Sequence, residues 1–307
     1  MTGDTCPAPA SSSSASGPRG WSASIPPLTV GRYFPSVTTG CDGRVYVIGG
    51  VLDAKVNTAT HVEPTVEVYD PRSNTWSQTA PMLTSRQAPA VTAGIDGRIY
   101  AIGGVHGSNF EPVATVEVYD PETNKWSQVA PLPQPGAAGA VTGKDGRIWV
   151  IAERDTYVYS PEANSWATAA PMPTERFTPQ VVMAPDGMIW VLGGISDGVV
   201  GVVEVYDPSS NTWRTSSPMP NPQVDFPAVA VPDGRILVLG GSRGARQQKV
   251  SIFDPATNRW TSGPDMPIGL EGHSATVDQD GRVLVVSGHA VGSPSTELNR
   301  QVLVLTP

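Results

Sequence analysis

Three arginines in this chain share one local setting. Arg32, Arg86 and Arg176 each stand four residues after the Leu or Met of a Pro-Leu or Pro-Met pair (Leu28, Met82, Met172). A guanidinium carries forked donors that match a carboxylate or phosphate, so three of them aimed at one funnel would suit a small anion or an acidic peptide. The alternative is that each is neutralised by an acid of a neighbouring repeat. At the three remaining equivalent positions the chain has Gly136, Gln223 and Leu270, and just beyond the last two lie Asp225 with Phe226 and Glu271 with His273. A carboxylate or imidazole facing arginines where water is excluded could act as general acid or base. Glu153, Glu271 and His273 are therefore the catalytic candidates. Arg32, Arg86, Arg176, Asp225, Phe226, His106 and His289 are the candidates for holding a ligand. For the acids the alternative is a solvated charge or a strand-end hydrogen bond.

The other reactive side chains are sparse. The four histidines, His61, His106, His273 and His289, lack the i, i+2 or i, i+4 spacing of a metal site, so no metal is expected. Cys6 and Cys41 are the only cysteines, one in an N-terminal Ser/Pro/Ala stretch and one beside an Asp-Gly turn. They read as unpaired thiols in a reducing compartment, which makes the cytoplasm the expected location.

These residues are spaced by a repeat. Gly97–Gly104 reads GRIYAIGG, and close copies begin at Gly43, Gly146, Gly187, Gly234 and Gly281. Each follows an aspartate (Asp42, Asp96, Asp145, Asp186, Asp233, Asp280), and successive aspartates are 41 to 54 residues apart. Such a period marks a repeat architecture. In the second repeat the order is a small-residue strand over Pro89–Gly94, an Asp-Gly hairpin, a strand over Ile99–Ile102, a variable loop, a strand over Val116–Tyr119, a second turn, and a strand over Trp126–Val129. Four short strands joined by hairpins predict one antiparallel blade of an all-β array. Tryptophans open the fourth strands (Trp76, Trp126, Trp166, Trp213, Trp260) and are expected to pack between blades.

The last repeat stops after its third strand. Its missing fourth strand is supplied at the other end, where Trp21–Leu28 (WSASIPPL) matches Trp76–Leu83 (WSQTAPML). An N-terminal outer strand closing the last blade removes the unpaired edges and makes a ring. The expectation is a disordered tail over 1–18 and a six-bladed β-propeller over 19–307.

A Gly-Gly pair followed by a Tyr and, seven positions later, a Trp (Gly103-Gly104, Tyr119, Trp126) resembles the kelch repeat. The third repeat departs from it with Ala152-Glu153 for Gly-Gly and Ser160 for the aspartate, and the sixth with Ser287-Gly288 and Leu305. The resemblance implies the six-bladed propeller. It also bears on Arg86 and Arg176, since arginines at this kind of position in kelch adaptors bind acidic peptides. The copper–radical kelch oxidases need a tyrosine and cysteine arrangement that Cys6 and Cys41 do not supply, and no cofactor is expected. Two functions stay open: a cofactor-independent isomerase, lyase or cyclase acting on a small anionic molecule in the funnel, or a protein-interaction module holding an acidic peptide or loop there. Kelch proteins that stand alone include sugar-acid isomerases, which favours the first by analogy.

Composition narrows the partners. Net charge is −8 with no long basic run, which disfavours non-specific phosphate binding, and no nucleic-acid partner is expected. No apolar run reaches the roughly 20 residues of a membrane-spanning helix, and the chain is expected to act as a monomer.

Overall fold

In the computed structural model the described residues are 20–52, 62–107, 109–136, 139–294 and 297–306. Among them the chain forms six four-stranded antiparallel sheets. Blade 1 comprises Ser36–Thr39, Val45–Ile48, Val66–Asp70 and Thr75–Thr79. Blade 2 comprises Ala90–Ala93, Ile99–Ile102, Val116–Asp120 and Lys125–Val129, as its sequence pattern predicts to within a residue or two. Blade 3 follows with Gly139–Thr142, Ile148–Ala152, Asp155–Ser160 and Ser165–Thr168. Blade 4 has Gln180–Met183, Ile189–Leu192, Val203–Asp207 and Thr212–Thr215. Blade 5 has Ala228–Ala230, Ile236–Leu239, Val250–Asp254 and Arg259–Ser262.

The second strands (VYVI, IYAI, IWVL, ILVL and VLVV) are buried at every residue. A strand covered on both faces reads as an unbroken apolar run, without the alternation of a half-exposed strand. The cores accordingly lie between blades: Tyr46 and Ile48 of blade 1 pack with Ile99, Ala101 and Trp126 of blade 2.

Blade 6 contains Ser274–Val277, Val283–Val286 and Val302–Thr306, and its outer strand is Gly20–Ile25. Gly20 pairs with Thr306 and Ile25 with Val302, across a bulge between Ser22 and Ile25. The sequence pattern extends this strand to Leu28. It ends at Ile25 because Pro26 and Pro27 have no N–H to give a ladder. The joint is then sealed as every other blade is. Each outer-strand indole donates to the carbonyl two residues before the Met or Leu of the preceding linker: Trp76 to Pro26, Trp126 to Ala80, Trp166 to Ala130, Trp213 to Ala170, Trp260 to Ser217 and Trp21 to Pro264, all at 2.8–3.1 Å. These aromatics are thus inter-blade clasps.

A second repeated device fixes the linkers. The Arg32 guanidinium contacts the Glu67 carboxylate at 3.1 Å, Arg86 meets Glu117 at 2.5 Å, and Arg176 pairs with Glu204. All six side chains are at most 2 % exposed. The same guanidiniums donate to backbone carbonyls of Gly49, Thr115 and Val191, and the carboxylates accept from the linker, Glu67 from the Thr29 amide and Glu117 from those of Leu83 and Thr84. Each arginine therefore pairs with an acid of its own blade. A buried pair persists only when most of its remaining donors and acceptors are met, and here linker groups and strand carbonyls meet most of them, Arg86 Nε and Arg176 Nε being left without a hydrogen bond among the described residues.

Cys41 is disulfide-bonded, with its Sγ 3.2 Å from the Gly94 carbonyl oxygen. The reading of Cys41 as a free thiol is corrected. Cys6 lies outside the described residues, as does His61.

Two expectations follow. Deleting residues 20–25 leaves the Val302–Thr306 edge and the Pro264 carbonyl without partners, and the urea midpoint should fall well below that of the full chain; an unchanged midpoint would refute the closure. Arg86→Met alone strands a buried Glu117 and should cost about 3–5 kcal/mol, whereas Arg86→Met with Glu117→Leu should recover most of the loss. Equal losses in the single and double variants, read by denaturant titration, would count against the pairing.

Candidate functional site

Within each blade the strands run up and down, so the segment leading into the first strand shares a face with the loop after the second. Backbone pairing ties these two segments together: Tyr33 with Val51, Gln87 with Val105, Phe177 with Ile195, Val224 with Ser242, and Glu271 with His289. The residue after each lead-in position is forced into the left-handed region, with φ near +50° at Phe34, Ala88, Thr178 and Asp225 and +58° at Gly272. Their amides link neighbouring blades round the axis, Gly272 to the Asp225 carbonyl, Phe34 to the Gly272 carbonyl and Ala88 to the Phe34 carbonyl. A left-handed phenylalanine or threonine carries a steric cost, and such residues concentrate where the chain serves a ligand. This ring is the mouth of the propeller.

One sector of the mouth, over blades 5, 6 and 1, gathers titratable groups. Arg246, in the loop of blade 5, donates from Nε to Glu271 Oε1 at 2.9 Å and from Nη2 to His289 Nδ1 at 2.7 Å. His289 Nε2 in turn lies 3.2 Å from the Pro294 carbonyl. With Nδ1 accepting from a guanidinium, the imidazole is the neutral tautomer carrying its proton on Nε2. The ring of Tyr33 stands edge-on to His289, with centroids 6.5 Å apart. It lies so close over Gly272 that an added Cβ would sit 2.2 Å from its Cε2, so only glycine permits this placement.

Two members of the cluster remain uncommitted. Tyr33 is 7 % exposed and Asp225 half-buried, yet neither the phenol hydroxyl nor the carboxylate has a hydrogen-bond partner among the described residues. Burial, and after it the charge of Glu271, raises the Asp225 carboxyl above its ordinary range. Burial does the same for the Tyr33 phenol, reinforced by Glu271 and Asp225 and opposed by Arg246. Polar groups left open beside a fully bonded framework are the ones a ligand can satisfy.

The sequence candidates divide accordingly. Glu271, His289 and Asp225 come together. The arginines do not join them, because Arg32, Arg86 and Arg176 are sealed in the blade ion pairs at no more than 1 % exposure. Phe226 is core, packed among Val182, Trp190 and Met219. His273 is buried, its Nε2 directed at the Leu239 carbonyl, and desolvation pulls its pKa down to about 3, so it stays neutral and is unsuited to acid–base work near pH 7. His106 is exposed in the blade 2 loop and bonds through Nδ1 to the Ser85 carbonyl at 2.6 Å. Glu153 is an exposed turn residue at φ +55°, closing the tight hairpin in which Ala152 pairs with Asp155. Its place in the repeat belongs to a glycine for conformational reasons, and the glutamate adopts the glycine's conformation.

Sequence reasoning missed Tyr33 and Arg246. A signal existed for both. Tyr33 is the residue directly after an aligned arginine, and the blade 5 loop carries three basic residues, Arg243, Arg246 and Lys249. The pairing of the arginines was also readable: Glu67, Glu117 and Glu204 occur in the same three repeats as the arginines, while Tyr157, Ser251 and Leu303 take that place in the other three. Among the described residues no group of three or more His, Cys, Asp or Glu side chains is placed to hold a metal ion.

Comparison with known proteins agrees with this architecture. The solved structure of YjhT superposes with a TM-score of 0.74 at 14% identity, covering 91% of this chain and 95% of that one. A fungal alcohol oxidase of the AA5 family in complex with copper superposes at 0.66 with 21% identity, covering 89% of this chain and 62% of the oxidase. At these identities the likeness is one of fold. An F-box/kelch-repeat protein of Arabidopsis thaliana is 33% identical over 89 residues, 28% of this chain; the match spans only 22% of that relative's length. The kelch motif matches at residues 32–83, 88–133, 176–220 and 226–267, passing over the third repeat, which has Ala152-Glu153 and Ser160, and the sixth, which has Ser287-Gly288 and Leu305. With that motif spread over more than half of its length, the chain belongs to the kelch-repeat family.

Proposed function

We propose that this kelch propeller binds a small polar molecule at the mouth formed by blades 5, 6 and 1, with Asp225 and Tyr33 making the direct contacts. The observation that carries this reading is the pair of uncommitted polar groups, carboxyl and phenol, held beside the bonded Arg246–Glu271–His289 framework. A carboxyl with a raised pKa next to a second carboxylate is an arrangement suited to proton transfer. It supports cofactor-independent isomerase, lyase or cyclase chemistry, with Asp225 as acid or base and Tyr33 as hydrogen-bond donor. Glu271, Arg246 and His289 position these groups. The anionic ligand expected from three open arginines loses its basis, since each is neutralised by its own glutamate.

The second reading, a protein-interaction module, is favoured by one observation. Phe177, Ile195 and Val199 of blade 4 are 37–51 % exposed on the same face and pair with one another along the backbone. Such a strip suits a partner with an apolar segment.

Asp225→Asn separates function from stability. Asparagine is isosteric and tolerates the left-handed backbone. The folded-state pKa of Asp225 is raised, so ionising it opposes folding above that pKa, and the opposition vanishes as pH falls below the unfolded carboxyl value of about 3.9. The variant should therefore melt higher than the wild type near pH 7, with the difference closing toward pH 3. In a thermal-shift screen of neutral, cationic and anionic metabolites, a ligand at a hundred times its Kd stabilises the wild type by about 2.7 kcal/mol. That gain should be lost in Asp225→Asn and reduced in Tyr33→Phe. Equal ligand-induced shifts in all three proteins would place the site elsewhere.

A further inference from the structure

We propose that the molecule held at this mouth carries a positively charged amine, seated on the Asp225 carboxylate and against the aromatic faces of Tyr33 and Phe34. The inference rests on the reading that the mouth is the ligand site, and it names the ligand's chemistry.

Charge gives the first argument. With Asp225 and Glu271 ionised, Arg246 alone balances them, so the cluster carries one surplus negative charge. The guanidiniums of Arg32, Arg86 and Arg176, which could have reversed that sign, are each committed to a glutamate behind the mouth. An anion placed here would meet two carboxylates and one cation already in use. An ammonium would replace the water that Asp225 loses on burial and offset the charge of Glu271.

Shape gives the second. Asp225 and Phe34 hold equivalent places on the ring of left-handed residues, and the residue between them is Gly272, which has no side chain to intervene. Tyr33 fills the space over that glycine. Its ring and that of Phe34 are tilted together at a centroid distance of 4.2 Å, with Phe34 half-buried on the cluster of Tyr33, Val51 and Leu298. A carboxylate on one side and two aromatic rings on the other make a recognition site for an organic cation, which gains from the ring quadrupole as well as from the ion pair.

A metal ion does not fit these donors. Hard cations exchange six or more water oxygens for protein oxygens. The mouth offers one uncommitted carboxylate, and no three-residue metal-ligating group exists among the described residues. An ammonium needs one anionic partner, one or two further acceptors and an apolar flank.

The test uses three probes of one shape and different charge: benzylamine, benzyl alcohol and benzoate, each titrated at pH 7 into the full chain while the backbone amides of Phe34, Asp225 and Gly272 are followed by NMR. Benzylamine should shift these amides saturably and bind about tenfold more tightly than benzyl alcohol, the factor expected of one charge-assisted hydrogen bond. Benzoate should leave them unmoved. Asp225→Asn, whose fold is checked by its melting temperature, should bind benzylamine and benzyl alcohol alike. If benzyl alcohol or benzoate shifts the same amides as strongly as benzylamine, the charge assignment is overturned while the mouth stands as the site. If benzylamine moves none of the three amides at tens of millimolar, the inference is overturned outright, and the metabolite screen with Asp225→Asn and Tyr33→Phe decides separately whether the mouth is a site at all.

Discussion

A guanidinium shut away from water behind the mouth of blades 1, 2 and 4 sets the geometry on which the rest relies. Its carboxylate partner, on the third strand of the same blade, also takes up donors of the incoming linker, amides in blades 1 and 2 and the Thr174 hydroxyl in blade 4. One ion pair thus fixes three pieces of backbone that are far apart in sequence. Removing charges from water is expensive, and the cost is tolerable only because nearly every donor and acceptor finds a partner. The return is a lead-in segment tied to the third strand of its own blade; the left-handed residue that follows is common to blades with and without the pair.

The other half of the mouth is built on a different principle. At blades 5 and 6 the place of the arginine is taken by Gln223 and Leu270, and the blade glutamate is absent. The charged groups there, Asp225, Glu271 and Arg246, sit further out, at the rim and within reach of solvent. The cluster at the mouth is thus carried mainly by two blades without the buried pair, and blade 1, which has it, adds Tyr33 and Phe34 from its lead-in. A repeat protein that varies a few positions in some copies keeps a scaffold in the others, which is how a fold of this type carries unlike functions.

The architecture was legible because it is written several times. Blade order, the Asp-Gly and Asp-Pro turns, the tryptophan of each outer strand and the borrowed N-terminal strand all follow from local chemistry copied along the chain. The mouth was legible only in part. Asp225, Glu271 and His289 stand out as polar residues at lead-in and loop positions. Tyr33 and Arg246 did not, since the tyrosine reads as one more strand aromatic and the arginine as one of several surface cations. What joins them is the approach of a blade 1 ring over a blade 6 glycine, a contact between the two ends of the chain that periodicity does not encode. The arginines misled for a related reason: a cation at the edge of a strand looks alike in sequence whether it faces solvent or a glutamate two strands away. His273 shows the same ambiguity, for burial made it inert.

The borrowed strand has a consequence for how the molecule comes into being. Gly20–Ile25 pairs with Val302–Thr306, so during synthesis the propeller's opening strand must wait for all the other blades before its ladder exists. Blades 1 to 5 can each collapse as local hairpins in order of appearance, but sealing the circle is a long-range event that loop-closure entropy makes slow. Until then two strand edges stand open, each able to pair with the complementary edge of another unfinished chain. The hazard of assembling this ring is therefore concentrated at a single seam, and so is the opportunity for two chains to exchange their opening strands.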